Sequence, residues 1–282
     1  MTTHASTQQQ VRERAAWDRL AEGFDQHVTP LSGQLAEKAL TLAGLRPGMR
    51  FLDVAAGSGA LSIPAAHLGA HVTATDYAPA MVERLAARVR EEGVAALVDS
   101  RVMDGLALEL PDDTFDVAGS QNGVSLFPDL HRGLAELVRV TRPGGRALLV
   151  AFGSPVREAE FIAWFIGALR AAVPDFTPPP TDPPPLPFQL ADPELMRRAL
   201  TDASLTDVRV ETVDWPVGIR SAEHLWDVAT SSNPIAAVLV KDLSEEHRRE
   251  ARQVLDGMLR ERSGGRGVAV LNSRMNVGVG TK

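Results

Sequence analysis

The chain has 282 residues, of which 44% are hydrophobic, and it carries a formal net charge of −7 and no cysteine. This length suffices for one large α/β domain with insertions or for a domain with a cap. The lack of cysteine excludes disulfides, thiolate zinc sites and a cysteine nucleophile. The acidic balance, without a basic stripe, argues against nucleic acid as a partner. No apolar run reaches the length of about 18 residues that would predict a membrane span.

The N-terminal part of the sequence predicts helices that pack on a larger core. Residues 1–10 are polar and lack the layout of a signal peptide, which predicts a cytoplasmic protein with a frayed tail. Residues 11–43 are typical of two helices, with Trp17 and Phe24 on one face of the first. We therefore assign residues 1–45 to N-terminal helices that act either as a lid or as packing for the sheet edge.

The most informative stretch is residues 51–59, which are typical of a short buried strand leading into a turn with two glycines, Gly57 and Gly59. A helix is predicted over residues 60–68, and a second strand ends just before Asp76. Such a turn lets a ligand approach backbone N–H groups at a helix N-terminus. An acidic residue at the tip of the next strand can accept hydrogen bonds from ribose hydroxyls. The pattern predicts a pocket for a nucleoside cofactor.

Two cofactors compete for this pocket, a nicotinamide or flavin dinucleotide and S-adenosylmethionine. The dinucleotide pattern requires a third glycine where this sequence has Ser62, and it places a pyrophosphate at the helix N-terminus. Asp53 precedes the turn, and its carboxylate repels a pyrophosphate but suits a ligand with an ammonium and a sulfonium group. The sequence therefore favours S-adenosylmethionine.

From residue 50 onward, strands alternate with helices, which is typical of a parallel sheet. Strands are predicted at residues 50–54, 71–75, 97–103, 115–120 and 146–152, with helices between them, notably at 79–92 and 129–141. Pro143 and the two glycines after it are predicted to end the second of these helices. We assign residues 46–154 to a core that binds S-adenosylmethionine.

Five motifs in this core carry a resemblance to one family. They are the turn from Asp53 to Gly59, residues 75–81, residues 103–105 with 110–116, residues 119–123, and residues 137–146. On these motifs, residues 50–152 resemble a class I S-adenosylmethionine-dependent methyltransferase of the ubiquinone/menaquinone-biosynthesis type, although Ala55 stands where many members have glycine. The resemblance implies a Rossmann-like, doubly wound α/β sheet of seven strands, six parallel and the last antiparallel between strands five and six.

The resemblance also implies which residues contact the cofactor. Asp76 would accept hydrogen bonds from the ribose, and Asp104 would accept one from the exocyclic amine of the adenine, while Tyr77 would cover the adenine ring. The expected cofactor residues are Asp53, Ala55, Ala56, Gly57, Ser58, Gly59, Asp76, Tyr77, Met81, Met103, Asp104, Gly105 and Gln121.

The sequence after residue 154 predicts a cap over the core. An apolar helix at 158–173 precedes a run dense in proline, 174–187, which favours extended geometry and would form a pocket wall or an external spacer. We assign residues 155–190 to this proline-rich cap insertion. Residues 191–282 are assigned to the C-terminal part of the sheet, with a helix at 192–203, strand six at 208–215, two or three cap helices at 221–261 and strand seven within 268–279.

Methyl transfer from a sulfonium requires that the acceptor is aligned with the methyl group and that water is excluded. It requires a fixed catalytic group less. The catalytic residues are therefore left unassigned, with His27 on the predicted lid and His131 after strand four as candidate bases for a phenol or amine acceptor. Either histidine can equally be a solvated or packing side chain. Asp104, Asn122 and Asp129 have the right chemistry for a metal, but Asp104 is assigned to adenine, and we predict no metal.

Aromatic residues outside the predicted core indicate an apolar acceptor pocket, with Phe24, Phe127 and Trp164 as the predicted substrate-binding residues. The leading hypothesis is a methyltransferase for a small, hydrophobic, ring-bearing metabolite in quinone or secondary-metabolite biosynthesis, with oxygen or carbon favoured over nitrogen. One alternative is an enzyme of the same fold that uses S-adenosylmethionine in a cyclisation. Another is a non-catalytic, cofactor-binding regulatory subunit. The protein is predicted to be a monomer or a homodimer.

Overall fold

The computed structural model describes residues 14–232 and 234–282. Its central feature is a seven-stranded sheet with the strand order β3-β2-β1-β4-β5-β7-β6. The strands are β1 (Arg50–Val54), β2 (His71–Asp76), β3 (Val98–Val102), β4 (Phe115–Gln121), β5 (Thr141–Phe152), β6 (Thr206–Ile219) and β7 (Ala269–Thr281). Strand β7 is antiparallel to both β5 and β6, and the other neighbouring strands are parallel. The predicted fold class is therefore confirmed.

Ten α-helices of the described residues flank the sheet. They are α1 (Arg14–Gly23), α2 (Gly33–Leu42), α3 (Ser62–His67), α4 (Pro79–Glu91), α5 (Leu130–Val140), α6 (Glu160–Ala172), α7 (Pro193–Asp202), α8 (Ala222–Ser232), α9 (Pro234–Val240) and α10 (Glu245–Ser263). A π-helical turn and a 3₁₀ turn, Phe24–Val28 and Thr29–Ser32, join α1 to α2. Residues 1–13, which include the predicted tail, lie outside the described part of the chain.

The inner strands are apolar along most of their length because helices cover both faces of the sheet. In β5, the four residues from Leu148 to Ala151 are completely buried, as is typical of a strand inside a parallel sheet. One apolar cluster joins one face to α2, α3, α4, α6, α8 and α10. A second cluster joins the other face to α5 and α7. The cap helices therefore belong to the same core as the N-terminal helices.

Strand β5 begins five residues earlier than predicted. Thr141 pairs with Phe115 of β4 directly after α5 ends, and the regular register resumes where Arg146 pairs with Val117. The intervening residues form an irregularity, and Gly145 lies so close to its neighbours that an added Cβ would stand 2.9 Å from the carbonyl oxygen of Asp116. Pro143 and the two glycines were predicted to end the preceding helix, whereas α5 already ends at Val140 and they form a bulge inside a continuous strand.

The C-terminal end of the proline-rich segment packs against the sheet. Residues 174–185 contain no regular helix or strand, and a 3₁₀ turn, Leu186–Phe188, follows them. The ring of Phe188 stacks on Phe152 of β5, with 4.6 Å between the ring centroids. Three helices, α8, α9 and α10, connect β6 to β7, in agreement with the predicted two or three. The proposed domain boundaries at residues 45, 154 and 190 stay a prediction.

The order of the strands changes direction between the neighbours β1 and β4. Strands β2 and β3 continue the sheet beyond β1, whereas β5 continues it beyond β4. Ligands of open α/β sheets bind beyond the carboxyl ends of the strands at such a switch point. The fold therefore places a binding site where β1 and β4 end. Among the residues that the structure describes, no helix is long and apolar enough to cross a membrane.

Candidate functional site

A cavity of about 760 Å³ runs along the carboxyl edge of the sheet from the end of β3 to β6. This volume lies within the range of small-molecule sites, about 300–1,000 Å³. Asp76 and Asp104 are the only charged side chains that the described residues contribute to its wall. Most of the remaining wall is apolar. Its side chains come from the N-terminal helices, the turn after β4 and the cap.

The turn after β1 forms the floor of the cavity. Ser62 Oγ donates a hydrogen bond of 2.6 Å to Asp53 Oδ2, and both residues are buried. This bond ties the end of β1 to the first turn of α3, which gives Ser62 a structural function at the position of the third glycine in dinucleotide turns. Ala55, Gly57 and Gly59 have φ angles of 55°, 55° and 98°. The φ of Ala55 lies in the left-handed region, which glycine adopts without steric cost.

Asp76 joins the end of β2 to this turn. Its Oδ2 accepts a hydrogen bond of 2.9 Å from the Gly57 N–H, and its Oδ1 accepts one of 2.9 Å from the Ala78 N–H. Burial raises the pKa of the Asp76 carboxyl to about 6, and these N–H donors oppose that rise. The carboxylate lines the cavity, so its remaining lone pairs face the space in which a ligand would bind.

Asp53 is more deeply buried and does not line the cavity. Burial raises the pKa of the Asp53 carboxyl to about 7; the hydrogen bond from Ser62 opposes this rise, and the nearby Asp76 carboxylate adds to it. Because the pKa is higher in the folded than in the unfolded chain, the folded chain binds the proton more tightly. Asp53 therefore lowers the free energy of unfolding progressively as the pH rises from about 4 to about 7.

We expect Asp53→Asn to raise the free energy of unfolding, and to raise it more at pH 8 than at pH 5. The amide removes the buried charge while its oxygen can still accept from Ser62. Urea unfolding at the two pH values measures the difference. Asp242→Asn serves as the control, because the Asp242 side chain is 87% exposed and surface charges contribute little. An equal gain at both pH values would contradict the buried charge at Asp53.

Helix α1 docks on the N-terminus of α4 beside the cavity. Asp18 Oδ1 accepts a hydrogen bond of 3.0 Å from the N–H of Ala80, which is one of the donors left free in a first helical turn. Asp25 and Arg88 form an ion pair of 3.2 Å whose side chains are largely buried. These contacts hold the N-terminal segment against the part of the cavity that Asp76 lines.

The 3₁₀ turn after α1 reaches further across the site. Thr29 Oγ1 and Ser58 Oγ are 2.6 Å apart and buried, which links this turn to the glycine-containing turn. The carbonyl oxygen of Leu31 accepts a hydrogen bond of 2.8 Å from Trp215 Nε1 on β6. The N-terminal segment thus contacts both the glycine-containing turn and β6, while its action as a lid stays a prediction.

The loops after β3 and β4 form the wall opposite α1. Asp104 Oδ1 accepts a hydrogen bond of 2.9 Å from the Leu106 N–H, which fixes the carboxylate at the edge of the cavity. A Cβ on Gly105 would stand 2.6 Å from Phe127 Cζ and 2.8 Å from Val54 Cγ1. Glycine is therefore required there for the Phe127 ring to lie against the end of β1.

Aromatic rings surround the cap side of the cavity. Phe161 of α6 and Trp215 of β6 meet edge to face with 6.0 Å between their centroids, and Phe152 contacts both. All three line the cavity, and Pro187 of the proline-rich segment lines it next to them. This end of the cavity is a ring-lined chamber without a charged side chain from the described residues.

Most of the predicted site residues lie on the cavity. The predicted cofactor residues in its wall are Ala55, Ala56, Gly57, Asp76, Tyr77, Met81, Met103, Asp104, Gly105 and Gln121. Asp53, Ser58 and Gly59 lie behind the wall and shape the turn. Of the predicted substrate residues, Phe24 and Phe127 line the cavity.

Trp164, His27 and His131 do not line the cavity. Trp164 lies on the other side of α6, where the Arg262 guanidinium stands 5.8 Å from its ring, and this position does not support its prediction as a substrate residue. His131 is exposed in the first turn of α5, because the apolar face of that amphipathic helix turns it outward. His27 is half-buried in the π-helical turn, near His224 of α8. Neither histidine reaches the chamber in this structure.

Several residues of the cavity wall were not predicted as site residues from the sequence. Asn122 was considered only as a metal ligand, and Ser125 was not singled out, although both follow the end of β4, where the rule for parallel sheets places ligands. Leu31 and Phe161 come from segments whose position depends on long-range packing, and no local signal identifies them. Within residues 14–232 and 234–282, no group of three His, Asp or Glu residues could hold a metal.

Comparison with known proteins relates these features to a family. Residues 52–149 match the profile of a methyltransferase domain. Nocamycin O-methyltransferase of Saccharothrix syringae is 35% identical over 157 residues, which cover 55% of this chain and 55% of that protein. Demethylmenaquinone methyltransferase of Clavibacter sepedonicus is 37% identical over 150 residues, which cover 50% of this chain and 58% of that protein. The chain therefore spans little more than half the length of these relatives.

A solved structure extends the likeness to the rest of the fold. The YcgJ protein of Bacillus subtilis has a TM-score of 0.54 to this chain at 19% identity, over 89% of this chain and 97% of that protein. The fold is thus shared along most of the chain, and the match to the methyltransferase profile, residues 52–149, includes the turn after β1 and the end of β2. Residues 52–149 therefore contain a methyltransferase domain, and the chain as a whole has the fold of that solved structure.

Proposed function

We propose that the chain transfers a methyl group from S-adenosylmethionine to a small, hydrophobic, ring-bearing metabolite. The observation that carries this proposal is the charge pattern of the cavity. Its described wall contains two carboxylates, Asp76 and Asp104, and no lysine, arginine or histidine. A cationic ligand without phosphate suits such a wall, whereas the pyrophosphate of a dinucleotide would meet only like charge.

The residues present fit the cofactor of this family. Asp76 has lone pairs that face the cavity and can accept from ribose hydroxyls. Asp104 is held at the opposite wall, where its second oxygen can accept from the adenine amine. Gln121 Oε1 is buried and lacks a partner among the described atoms, so it can accept from an ammonium group. Tyr77 and Met81 supply apolar contacts beside Asp76.

When bound, the cofactor supplies an activated methyl group on a sulfonium. The contribution of this chain is then to align the acceptor with that methyl and to exclude water. The ring-lined chamber of Phe152, Phe161 and Trp215 can do both, since it continues directly from the wall that Gln121 forms. Oxygen or carbon as the methylated atom agrees with the names of the two relatives, an O-methyltransferase and a demethylmenaquinone methyltransferase.

Calorimetric titration with S-adenosylmethionine, and with NADH and FAD as controls, tests the proposal. We expect binding of S-adenosylmethionine in the micromolar range and no binding of either dinucleotide. Quinol and phenol acceptors are then screened for release of S-adenosylhomocysteine. Binding of a dinucleotide alone would contradict the proposal. Product formation without S-adenosylhomocysteine would indicate cyclisation or another reaction, and cofactor binding without any turnover would indicate a regulatory subunit.

A further inference from the structure

The turn after β4 contains three unpartnered oxygen atoms on residues that line the cavity. Gln121 Oε1, Asn122 Oδ1 and Ser125 Oγ are buried without a hydrogen-bond partner in the structure, and all three residues line the cavity wall. A buried polar atom without a partner destabilises the folded chain, so native proteins retain few of them. Three such atoms on one short turn indicate that a ligand completes their hydrogen bonds.

The backbone of this turn is fixed by hydrogen bonds to its surroundings. Ser120 Oγ donates to the Val54 carbonyl oxygen at 2.7 Å and accepts from the Val124 N–H at 2.9 Å. Gln189 Nε2, from the segment after the prolines, donates to the Ser125 carbonyl oxygen at 2.6 Å. The turn is therefore bonded to β1, to itself and to the cap. The backbone that carries Gln121, Asn122 and Ser125 is therefore fixed before any ligand arrives.

Asn122 has a φ of 53°, a left-handed conformation that is uncommon outside glycine. Its N–H donates to the Val150 carbonyl oxygen of β5 at 2.8 Å, which fixes the residue in that conformation. Strained backbone held by its surroundings is concentrated at functional sites. This observation is independent of the unpartnered oxygens and concerns the same residue.

The turn lies between the side of the cavity that is expected to hold the cofactor and the ring-lined chamber. Asp76 and Asp104 lie toward β2 and β3, on the side expected to hold the cofactor, whereas Asn122 is bonded to β5 and Ser125 to the cap segment. Asn122 and Ser125 thus adjoin the ring-lined chamber. A hydroxyl can donate to an amide oxygen such as Asn122 Oδ1 and accept from a hydroxyl such as that of Ser125, so its chemistry matches what both atoms lack.

We propose that Asn122 and Ser125 form a recognition site for a hydroxyl group on the ring-bearing acceptor. This inference rests on the proposed function for its assignment to the methyl acceptor. The site selects a hydroxylated ring over the same ring without the hydroxyl, because the unsubstituted ring leaves both oxygens unpaired. Asn122 and Ser125 are positioning residues here, and they place the ring relative to the cofactor wall.

The test uses 2-naphthol and naphthalene as probes, which differ by one hydroxyl. Their dissociation constants are measured by fluorescence titration, with and without S-adenosylhomocysteine, and the ratio of naphthalene to 2-naphthol is compared between variants. We expect the wild type to bind 2-naphthol about tenfold more tightly or better, and Ser125→Ala and Asn122→Gly to reduce that ratio about tenfold. Glycine keeps the φ of residue 122 accessible.

Ser154→Ala is the matched control, because Ser154 Oγ is also buried and unpartnered but lies outside the cavity wall. We expect it to leave the ratio unchanged. Ser125→Ala and Ser154→Ala should both keep or slightly raise the melting temperature, since each removes an unpartnered buried oxygen. If Asn122→Gly fails to fold, the ratio of the two dissociation constants in Ser125→Ala still tests the proposal.

The proposal is overturned if the ratio is the same in wild type and both cavity variants, if it falls equally in Ser154→Ala, or if neither probe binds. It is also overturned if the affinity for S-adenosylhomocysteine falls in Ser125→Ala while the ratio stays constant, because the oxygens would then serve the cofactor. If no S-adenosylmethionine binds but the ratio responds as expected, the proposed function fails and the hydroxyl site stands.

Discussion

Replacing Gly59 by alanine is expected to lower the free energy of unfolding by about 2–5 kcal/mol. Gly59 has a φ of 98°, which residues with a side chain rarely adopt. An added Cβ would stand 2.3 Å from Leu85 Cδ1 and 3.2 Å from Ile63 Cδ1, so the packing between α3 and α4 would have to shift. Backbone strain and overpacking therefore act together. Urea unfolding followed by circular dichroism measures the loss.

The same substitution at Gly167 is the control. Gly167 lies inside α6, and no atom stands within 4 Å of the Cβ that alanine would add. Because alanine favours the helix over glycine, we expect Gly167→Ala to raise the free energy of unfolding by about 0.5–1 kcal/mol. Equal urea midpoints for the two variants would mean that the turn after β1 is not built as described.

Asp76→Ala is expected to weaken the binding of S-adenosylmethionine by about 1–3 kcal/mol, the cost of losing a charged hydrogen-bond partner. The variant also removes the acceptor of the Gly57 N–H, so the turn that faces the cofactor loses its tie to β2. Since the pKa of Asp76 is about 6, the wild-type affinity should fall as the pH drops below 6, and the affinity of the variant should lack this dependence on Asp76. Calorimetry at pH 5.5 and pH 8 measures both effects.

Asp99→Ala is the matched control for this experiment. Asp99 lies on β3, and its exposed carboxylate pairs with Arg101 away from the cavity, so its removal should leave the affinity unchanged. Urea unfolding of Asp76→Ala separates a loss of binding from a loss of fold. Unchanged affinity in a folded Asp76→Ala protein would contradict the assignment of the end of β2 to the cofactor.

The parts of the fold that local sequence determines were predictable. Strand β1 spans the predicted residues, and α4 begins at Pro79 as expected, because proline at the first helical position and a buried apolar run are local signals. Strand β5 was predicted too short, since only its pairing with β4 shows that the Pro143 segment continues the strand. Strand β6 extends to Ile219 for the same reason, through its ladder with β7.

The residues of the candidate site also include some that the sequence predicts and others that depend on long-range contacts. The residues at strand ends, such as Asp76 and Gly105, could be located from the sequence because topology alone brings the carboxyl ends of parallel strands together. The contact between Thr29 and Ser58 and the bond from Trp215 to Leu31 join segments far apart in the chain, and no local pattern indicates them. Composition shows that α6 is apolar but not which of its faces meets the cavity, and Trp164 lies on a face that does not line it.

The position of β7 has a consequence for how the protein is made. Strand β5 receives β7 on its outer edge, and β7 in turn is the only partner of β6 in the described structure. Residues 269–281 are translated long after β5, so a nascent chain carries an exposed apolar strand edge until they emerge from the ribosome. We expect the emerging polypeptide to depend on chaperones during this interval. A frameshift late in the coding sequence would remove a strand from the interior of the sheet, not from its margin.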